Sequence, residues 1–311
     1  MRAAVTGGAG FIGSNLAAAL VARGDSVAIV DDFSTGRREN LSAIEKRVEL
    51  FEGDIRDTAL LARAFAGAEA VFHQAALPSV ARSVEHPFDS HDVNASGTLK
   101  VLLAAKAAGA RRVVYASSSS AYGNTPALPK VETMAPAPLS PYAVSNLAGD
   151  YYCRIFGALY GLEAVALRYF NVFGPRQDPK SHYAAVVPIF ITHVLSGRTI
   201  HIDGDGGQSR DFTYIDNVVE ANLLAATAAG AAGEVFNVGV GKANSVNELV
   251  EAISRITKMK ARVEHGSPRP GDVRDSLADI SKARRMLGYD PRFDLTRGLE
   301  RTIEYFRTPG G

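Results

Sequence analysis

The sequence predicts an α/β protein built on a doubly wound parallel sheet with a smaller C-terminal α/β lobe. Three observations predict it. Strand-sized apolar runs alternate with helix-length amphipathic segments through the first half, a glycine-rich turn joins the first run to the first helix, and beyond Asn171 loops such as GPRQDPKSH and DGDGGQSRD take over.

Candidate strands in order are Arg2–Thr6, Ser26–Asp31, Val48–Glu52, Ala70–His73, Arg112–Ala116 and Glu163–Arg168, each rich in Val, Ile, Ala or Phe. Six such runs separated by helices make a parallel sheet wound from both sides. Thr199–Ile202 and Glu234–Val238 read as isolated strands of the second lobe. The division falls at residues 1–171 and 172–311, with helices such as Val218–Ala228 free to pack back on the first sheet.

With 311 residues and 46% hydrophobic side chains the chain can bury a large core, and 34 Lys plus Arg nearly cancel 33 Asp plus Glu. No net field exists to hold nucleic acid or an anionic membrane. The apolar stretches fall short of the ~20 residues a spanning helix needs, so no membrane segment is expected. The single cysteine, Cys153, cannot form an internal disulfide, and the opening MRAAVTGGAG lacks a signal pattern, which together give a cytoplasmic expectation. His73, His91 and His182 stand at no metal-ligand spacing, and no metal is expected.

Gly7, Gly10 and Gly13 in GGAGFIG follow the first strand and open a helix. That spacing permits a tight turn, close approach of backbone to a pyrophosphate, and close helix–strand contact, with the helix N-terminus facing the phosphates. Asp31 ends the next strand, where a carboxylate accepts from adenosine ribose hydroxyls. This is a Rossmann-type dinucleotide site. Asp31 favours NAD over NADP, because it would repel a 2′-phosphate that Arg37 or Arg38 could otherwise hold. Asp54 and Ile55 after the third strand suit an adenine edge, and Gln74, Ala75 and Ala76 end the fourth in residues that let a cofactor approach.

The fifth strand runs into Ser117-Ser118-Ser119-Ser120-Ala121-Tyr122-Gly123, and Ser140-Pro141-Tyr142-Ala143-Val144-Ser145-Asn146 opens a later amphipathic helix. On these motifs the chain resembles the extended short-chain dehydrogenase/reductases, and within them the UDP-sugar 4-epimerases. The resemblance implies that Tyr142 is the catalytic acid/base, that Ser118 assists it, and that position 146 holds the residue that completes the motif. The family has lysine there and this chain has Asn146. Lysine at i+4 would stabilise phenolate, whereas a tyrosine of ordinary pKa near 10 is only about 0.1% ionised at pH 7. Reduced turnover is therefore expected.

The resemblance further implies NAD contacts at Gly7, Gly10, Phe11, Ile12, Gly13, Asp31, Phe33, Ser34, Thr35, Gly36, Asp54, Ile55, Gln74, Ala75, Ala76, Asn94, Tyr142, Asn146 and Tyr169. Asn94 is expected to fix backbone or water near the site. Substrate contacts are implied at Ser118, Asn171, Ala185, Val186, Ile200, His201, Ile202, Arg210, Arg269, Asp272 and Ser276, with the two arginines and Asp272 clamping diphosphate and ribose. Ser119 and Ser120 stand where related dehydratases and decarboxylases carry an acid, which favours simple oxidation and re-reduction at C4 through a bound 4-keto sugar.

Ser276 replaces the large aromatic of epimerases restricted to plain hexoses and leaves room for an N-acetyl group. With HQAALPSVARS and RYFNVFGPRQDP, it makes the chain look most like UDP-N-acetylglucosamine 4-epimerases of polysaccharide pathways. A UDP-glucose/UDP-galactose 4-epimerase is the alternative, and a turnover-deficient NAD and sugar-nucleotide binding protein a third reading. A homodimer through helices Phe88–Ala108 and Tyr142–Tyr160 is implied as well.

Overall fold

The first strand and turn set the pattern of the whole sheet. In a computed structural model that describes residues 1–179, 185–268 and 273–308, β1 (Arg2–Thr6) turns at Gly7 into α1 (Phe11–Ala22) and returns as β2 (Ser26–Asp31), parallel to β1. Next come β3 (Val48–Glu52), α2 (Thr58–Ala64), β4 (Ala70–His73), α3 (Val80–Glu85), α4 (Pro87–His91), α5 (Gly97–Ala107), β5 (Arg112–Ser118), α6 (Pro141–Tyr160) and β6 (Glu163–Tyr169). The later chain adds β7 (Val172–Phe173), α7 (Val186–Leu195), β8 (Thr199–Asp203), β9 (Ser209–Arg210), β10 (Thr213–Tyr214), α8 (Ile215–Ala225) and β11 (Val235–Val238). It ends through β12 (Asn244–Ser245), α9 (Val246–Thr257), β13 (Arg262–Gly266), β14 (Asp275–Ser276), α10 (Ser281–Leu287) and α11 (Leu295–Arg307).

The main sheet is seven-stranded in the order β11-β6-β5-β4-β1-β2-β3, and every pair is parallel. Along its strands alternate residues serve two cores: Val5, Ile29 and Val114 face one layer of helices, and Ala4, Val30 and Val113 the other. Strand order reverses between β1 and β4. Helices on opposite sides part there, leaving a crevice at the carboxyl ends of the strands, where α/β sheets bind ligands.

Three details differ from the sequence reading. The sheet has a seventh strand, because Val235–Val238 pairs with Ala166–Tyr169 of β6 instead of standing alone in the second lobe. Short apolar runs do not reveal which sheet they will extend, and Phe236 and Val238 become fully buried by extending this one. The helix expected over Phe88–Ala108 is α4 and α5 joined by a π-helical turn, Asp92–Ser96, which carries Asn94. β5 continues to Ser118 because Ser117 and Ser118 stay in register with Arg168 and Tyr169 of β6.

Beyond the main sheet, β8 and β13 form a parallel pair, and β9 lies between β12 and β14. Among the described residues no helix is long and apolar enough to cross a membrane.

Candidate active site

A cleft of about 990 Å³ runs along the carboxyl ends of β1, β4, β5 and β6 and reaches β9 and β14. Its first wall is the glycine turn. Gly7 has φ +67°, a left-handed conformation that glycine adopts without strain, and a Cβ on Gly13 would stand 2.0 Å from the Gly7 carbonyl oxygen. The turn is therefore closed to side chains, and it opens α1 with Gly10 as an N-cap that makes no side-chain hydrogen bond, the cradle a pyrophosphate requires.

Asp31 sits at the edge of the next strand with one carboxylate oxygen accepting from Ala9 N–H (2.8 Å) and the other from Phe33 N–H (2.9 Å). Burial pushes its pKa up, and these amide hydrogen bonds oppose that. Phe33 (φ +57°) packs under Arg38, whose guanidinium pairs with Glu52, while Arg37 faces Glu39 at 3.6 Å. Both arginines have carboxylate partners, and the Asp31 carboxylate itself would repel a 2′-phosphate. Phe33, Ser34, Thr35, Gly36, Asp54 and Ile55 line the same end of the cleft, and Arg56 holds the Asp54 carboxyl below its usual range. These residues fit a dinucleotide without a 2′-phosphate.

The other end of the cleft lies where β5 meets α6. Ser140 caps α6 by accepting from Ala143 N–H, and Pro141 occupies the first turn, which holds Tyr142 at the mouth of the helix facing Ser118. Ser118 Oγ accepts from Ser120 Oγ at 2.9 Å and from Ser120 N–H at 3.2 Å. Burial pushes the Tyr142 phenol above its ordinary pKa, and hydrogen bonding with Ser118 and Asn146 offsets part of the rise. Among the described residues no titratable charge takes part in that balance.

Asn146 is buried, and its Nδ2 donates to the Tyr142 carbonyl at 2.8 Å. It stands behind the residues that line the cleft, held to its own helix on one side and within hydrogen-bonding reach of the Tyr142 phenol on the other. Asn94 also lies behind the wall. Its Oδ1 accepts from Leu77 N–H (2.8 Å) and its Nδ2 donates to the Leu77 carbonyl (3.2 Å), so it fixes cleft backbone without reaching the cleft itself.

Beneath the start of α6, Asp150 and Arg168 form a buried ion pair at 2.9 Å, and the Arg168 guanidinium lies 4.7 Å from the Tyr122 ring centre. Tyr122 Oη donates to Asn237 Oδ1 (2.7 Å), and Asn237 Nδ2 donates to the Lys130 (2.8 Å) and Asp279 (3.2 Å) carbonyls. A polar chain thus runs from α6 to the far wall of the cleft. His73 is structural: its ring nitrogens meet Thr6 (2.7 Å) and Thr98 (2.9 Å), and burial lowers its pKa to about 3, keeping it neutral.

On the far wall Asn171 (φ +29°), Ala185, Arg210 and Ser276 all line the cleft. Arg210 and Ser276 are direct neighbours, paired across β9 and β14. Other expected substrate residues are not brought there. Ile200 and Ile202 point into the core, His201 alternates outward to Glu264 (3.4 Å), and Val186 opens α7 outside the wall. Strand alternation decides this, because β8 buries every second residue against the core. Arg269, Asp272 and His182 lie outside the described residues.

The structure also places in the wall residues that the sequence reading did not choose. Tyr122 is one, although its Tyr-Gly pair was visible. Lys130 is another: it is buried, its Nζ donates to the Thr125 carbonyl and hydroxyl (2.8 Å to the latter), and its strand-like pairing with Ala278 cannot be read from spacing. Among the described residues no group of three His, Cys, Asp or Glu could hold a metal ion.

Fold and site define an α/β protein with a dinucleotide-type cleft in which the hydroxyls of Ser118 and Tyr142 meet. Residues 3–239 match the model of the NAD dependent epimerase/dehydratase family, and the chain belongs to that family, with NAD as its cofactor. It is 44% identical over 313 residues to a UDP-glucose 4-epimerase of Mycolicibacterium smegmatis, covering 99% of both chains. Among solved structures it is similar to the UDP-glucose 4-epimerase of Thermotoga maritima with UDP-glucose (40% identity, TM-score 0.94, 99% of each chain). It is equally similar to the UDP-N-acetylglucosamine 4-epimerase of Methanobrevibacter ruminantium in complex with UDP-N-acetylmuramic acid (40% identity, TM-score 0.94, 98% of each chain).

Proposed function

We propose that the protein epimerises a UDP-hexose at carbon 4, with UDP-N-acetylglucosamine and UDP-N-acetylgalactosamine as the sugar pair. One observation carries this reading: Ser118 and Tyr142 stand among hydroxyls and small residues, with no carboxylate in the Ser117–Ser120 wall, in a cleft whose far side sets Arg210 beside Ser276.

Bound NAD supplies a reversible hydride acceptor. Tyr142, as phenolate, takes the proton of the C4 hydroxyl while Ser118 hydrogen-bonds the same oxygen and holds it in line. Tyr142 returns the proton after the sugar has presented its other face. Ser119 and Ser120 bring no second acid, so neither loss of water nor loss of carboxylate is assisted. Arg210 holds the diphosphate, about which the sugar turns. Ser276 leaves the space an acetamido group fills.

The test is direct. The purified protein is mixed separately with UDP-GlcNAc and UDP-glucose, and the C4 epimer is followed by proton NMR. Formation of UDP-GalNAc is expected. Turnover of UDP-glucose alone would favour the second reading, a UDP-glucose/UDP-galactose 4-epimerase, which the relatives of that name support. Binding of both sugars with turnover of neither would make it a binding protein.

Asn146 limits turnover in this reading, because among the described residues no cation draws down the raised Tyr142 pKa. Turnover should therefore climb with pH through the neutral range, as phenolate becomes available. Asn146→Lys places a cation near the phenol, an effect worth one to three pKa units at about 4–6 Å, with each unit raising phenolate about tenfold. A gain of at least about tenfold in kcat at neutral pH is expected, with the plateau of the kcat–pH profile reached at lower pH. An unchanged profile would remove Asn146 as the limit.

The protein is proposed to act as a homodimer. α3, α4, α5 and α6 expose Val84, Phe88, Leu103, Val144, Ile155 and Leu159, an apolar set that singly scattered surface residues do not produce. Sedimentation should give twice the chain mass, and Phe88→Asp with Ile155→Arg should give the monomer. A monomeric parent protein would refute the contact.

A further inference from the structure

We propose that Asn222 is a positioning residue that holds the reacting end of the dinucleotide, acting through Tyr169 and Gln74. Asn222 is fully buried on α8, a helix from the later half of the chain that reaches back under the main sheet. Its Nδ2 donates to Tyr169 Oη at 2.8 Å, and its Oδ1 accepts from Gln74 Nε2 at 3.0 Å. Tyr169 Oη lies 3.1 Å from Asn222 Oδ1 and 3.2 Å from Gln74 Oε1, and with the phenol proton given to Gln74 the three side chains close a ring in which each donates once and accepts once. The second hydrogen of the Asn222 amide goes to the Val218 carbonyl of its own helix (2.8 Å), which locks the direction of the amide.

The ring lies under the stretch of cleft that the dinucleotide must cross between the glycine turn and Tyr142. A Cβ on Gly7 would touch Ala75 at 2.7 Å, so Gln74 and Ala75 directly adjoin the phosphate turn. Tyr169 is the register partner of Ser118 across β5 and β6, so it adjoins the proton-transfer pair. Gln74 and Tyr169 both line the cleft, whereas Asn222 does not. Burial pushes the Tyr169 phenol well up, so it stays a neutral member of the ring. The nicotinamide end therefore rests on two side chains whose orientations a third, distant in sequence, decides. The adenosine end, held by Asp31 and the glycine turn, makes no use of it.

The experiment compares two ligands that differ only at the nicotinamide. Affinities for NAD and for ADP-ribose are measured by calorimetry on the full chain, stripped of cofactor, for the parent protein and for Asn222→Leu. The variant is expected to bind NAD about tenfold more weakly, about 1.4 kcal/mol, with ADP-ribose affinity within twofold of the parent. Weakening of both ligands alike, or of neither, would overturn the proposal, since a merely structural role cannot distinguish them. Should Asn222→Leu fail to fold, Asn222→Asp, which keeps the volume and loses the donor to Tyr169, is judged by the same pair of affinities. No sugar enters the measurement, so its outcome is independent of which hexose the enzyme takes.

Discussion

Replacing Tyr142 by Phe is expected to lower kcat by at least about a thousandfold while NAD affinity stays within a few-fold of the parent. General acid–base groups supply typically 10²- to 10⁴-fold, and here the loss should lie in the upper half because the neighbouring hydroxyls, imidazole and phenol are otherwise engaged. Ser118 is a hydroxyl without a base of its own, His73 is sealed between Thr6 and Thr98, and Tyr169 is bound into the ring with Gln74 and Asn222. The ring of Tyr142 survives the change to Phe, and with it the packing at the start of α6. Single-turnover kinetics with a matched NAD titration check the result. Residual activity within tenfold of the parent would mean that another group moves the proton.

The second large effect concerns the sugar. Ser276→Tyr is expected to lower kcat/KM for UDP-GlcNAc by at least about a hundredfold and to leave UDP-galactose within a few-fold, because the wall that carries it has no room to retreat. Lys130 N–H donates to the Leu277 carbonyl at 2.8 Å, and Asp279 N–H donates to the Lys130 carbonyl at 2.9 Å. Ala278 N–H donates to Asp211 at 3.3 Å, and Asn237 holds the Asp279 carbonyl at 3.2 Å. Asp211 also binds the Val240 and Gly241 amides, so the segment is tied to the end of β11. A phenol added at position 276 must therefore enter the cleft. Paired assays on acetylated and plain UDP-hexoses read the outcome, and an equal effect on both sugars would dismiss the volume argument.

Much of the molecule was legible in advance where one local rule acted alone. Arg2–Thr6 followed by GGAGFIG had to be a strand, a tight turn and a helix start, because Gly13 tolerates no Cβ and Gly7 takes a positive φ. Asp31 was legible from its position at the end of the second strand, and Tyr142 from the Ser-Pro-Tyr opening of α6. Reading failed where two segments distant in sequence had to choose each other. Val235–Val238 carries no mark that it will join β6, Lys130 none that it will pair with Ala278, and Asn222 none that it faces Tyr169. Ile200, His201 and Ile202 cannot share one site, because a strand sends alternate side chains to opposite faces.

The sequence by itself determined the dinucleotide fingerprint, the Ser-Pro-Tyr opening of α6 and the lack of a cation at 146, because each depends on residue type at a short, fixed spacing along one turn, strand end or helix face. Tertiary structure alone decided that Val235–Val238 joins β6, that Arg210 and Ser276 become neighbours, and that Asn222 meets Tyr169 beneath the cleft. The physical reason is the same in each case. Hydrogen bonds and packing between segments far apart in the chain are satisfied only once the sheet has set their distances.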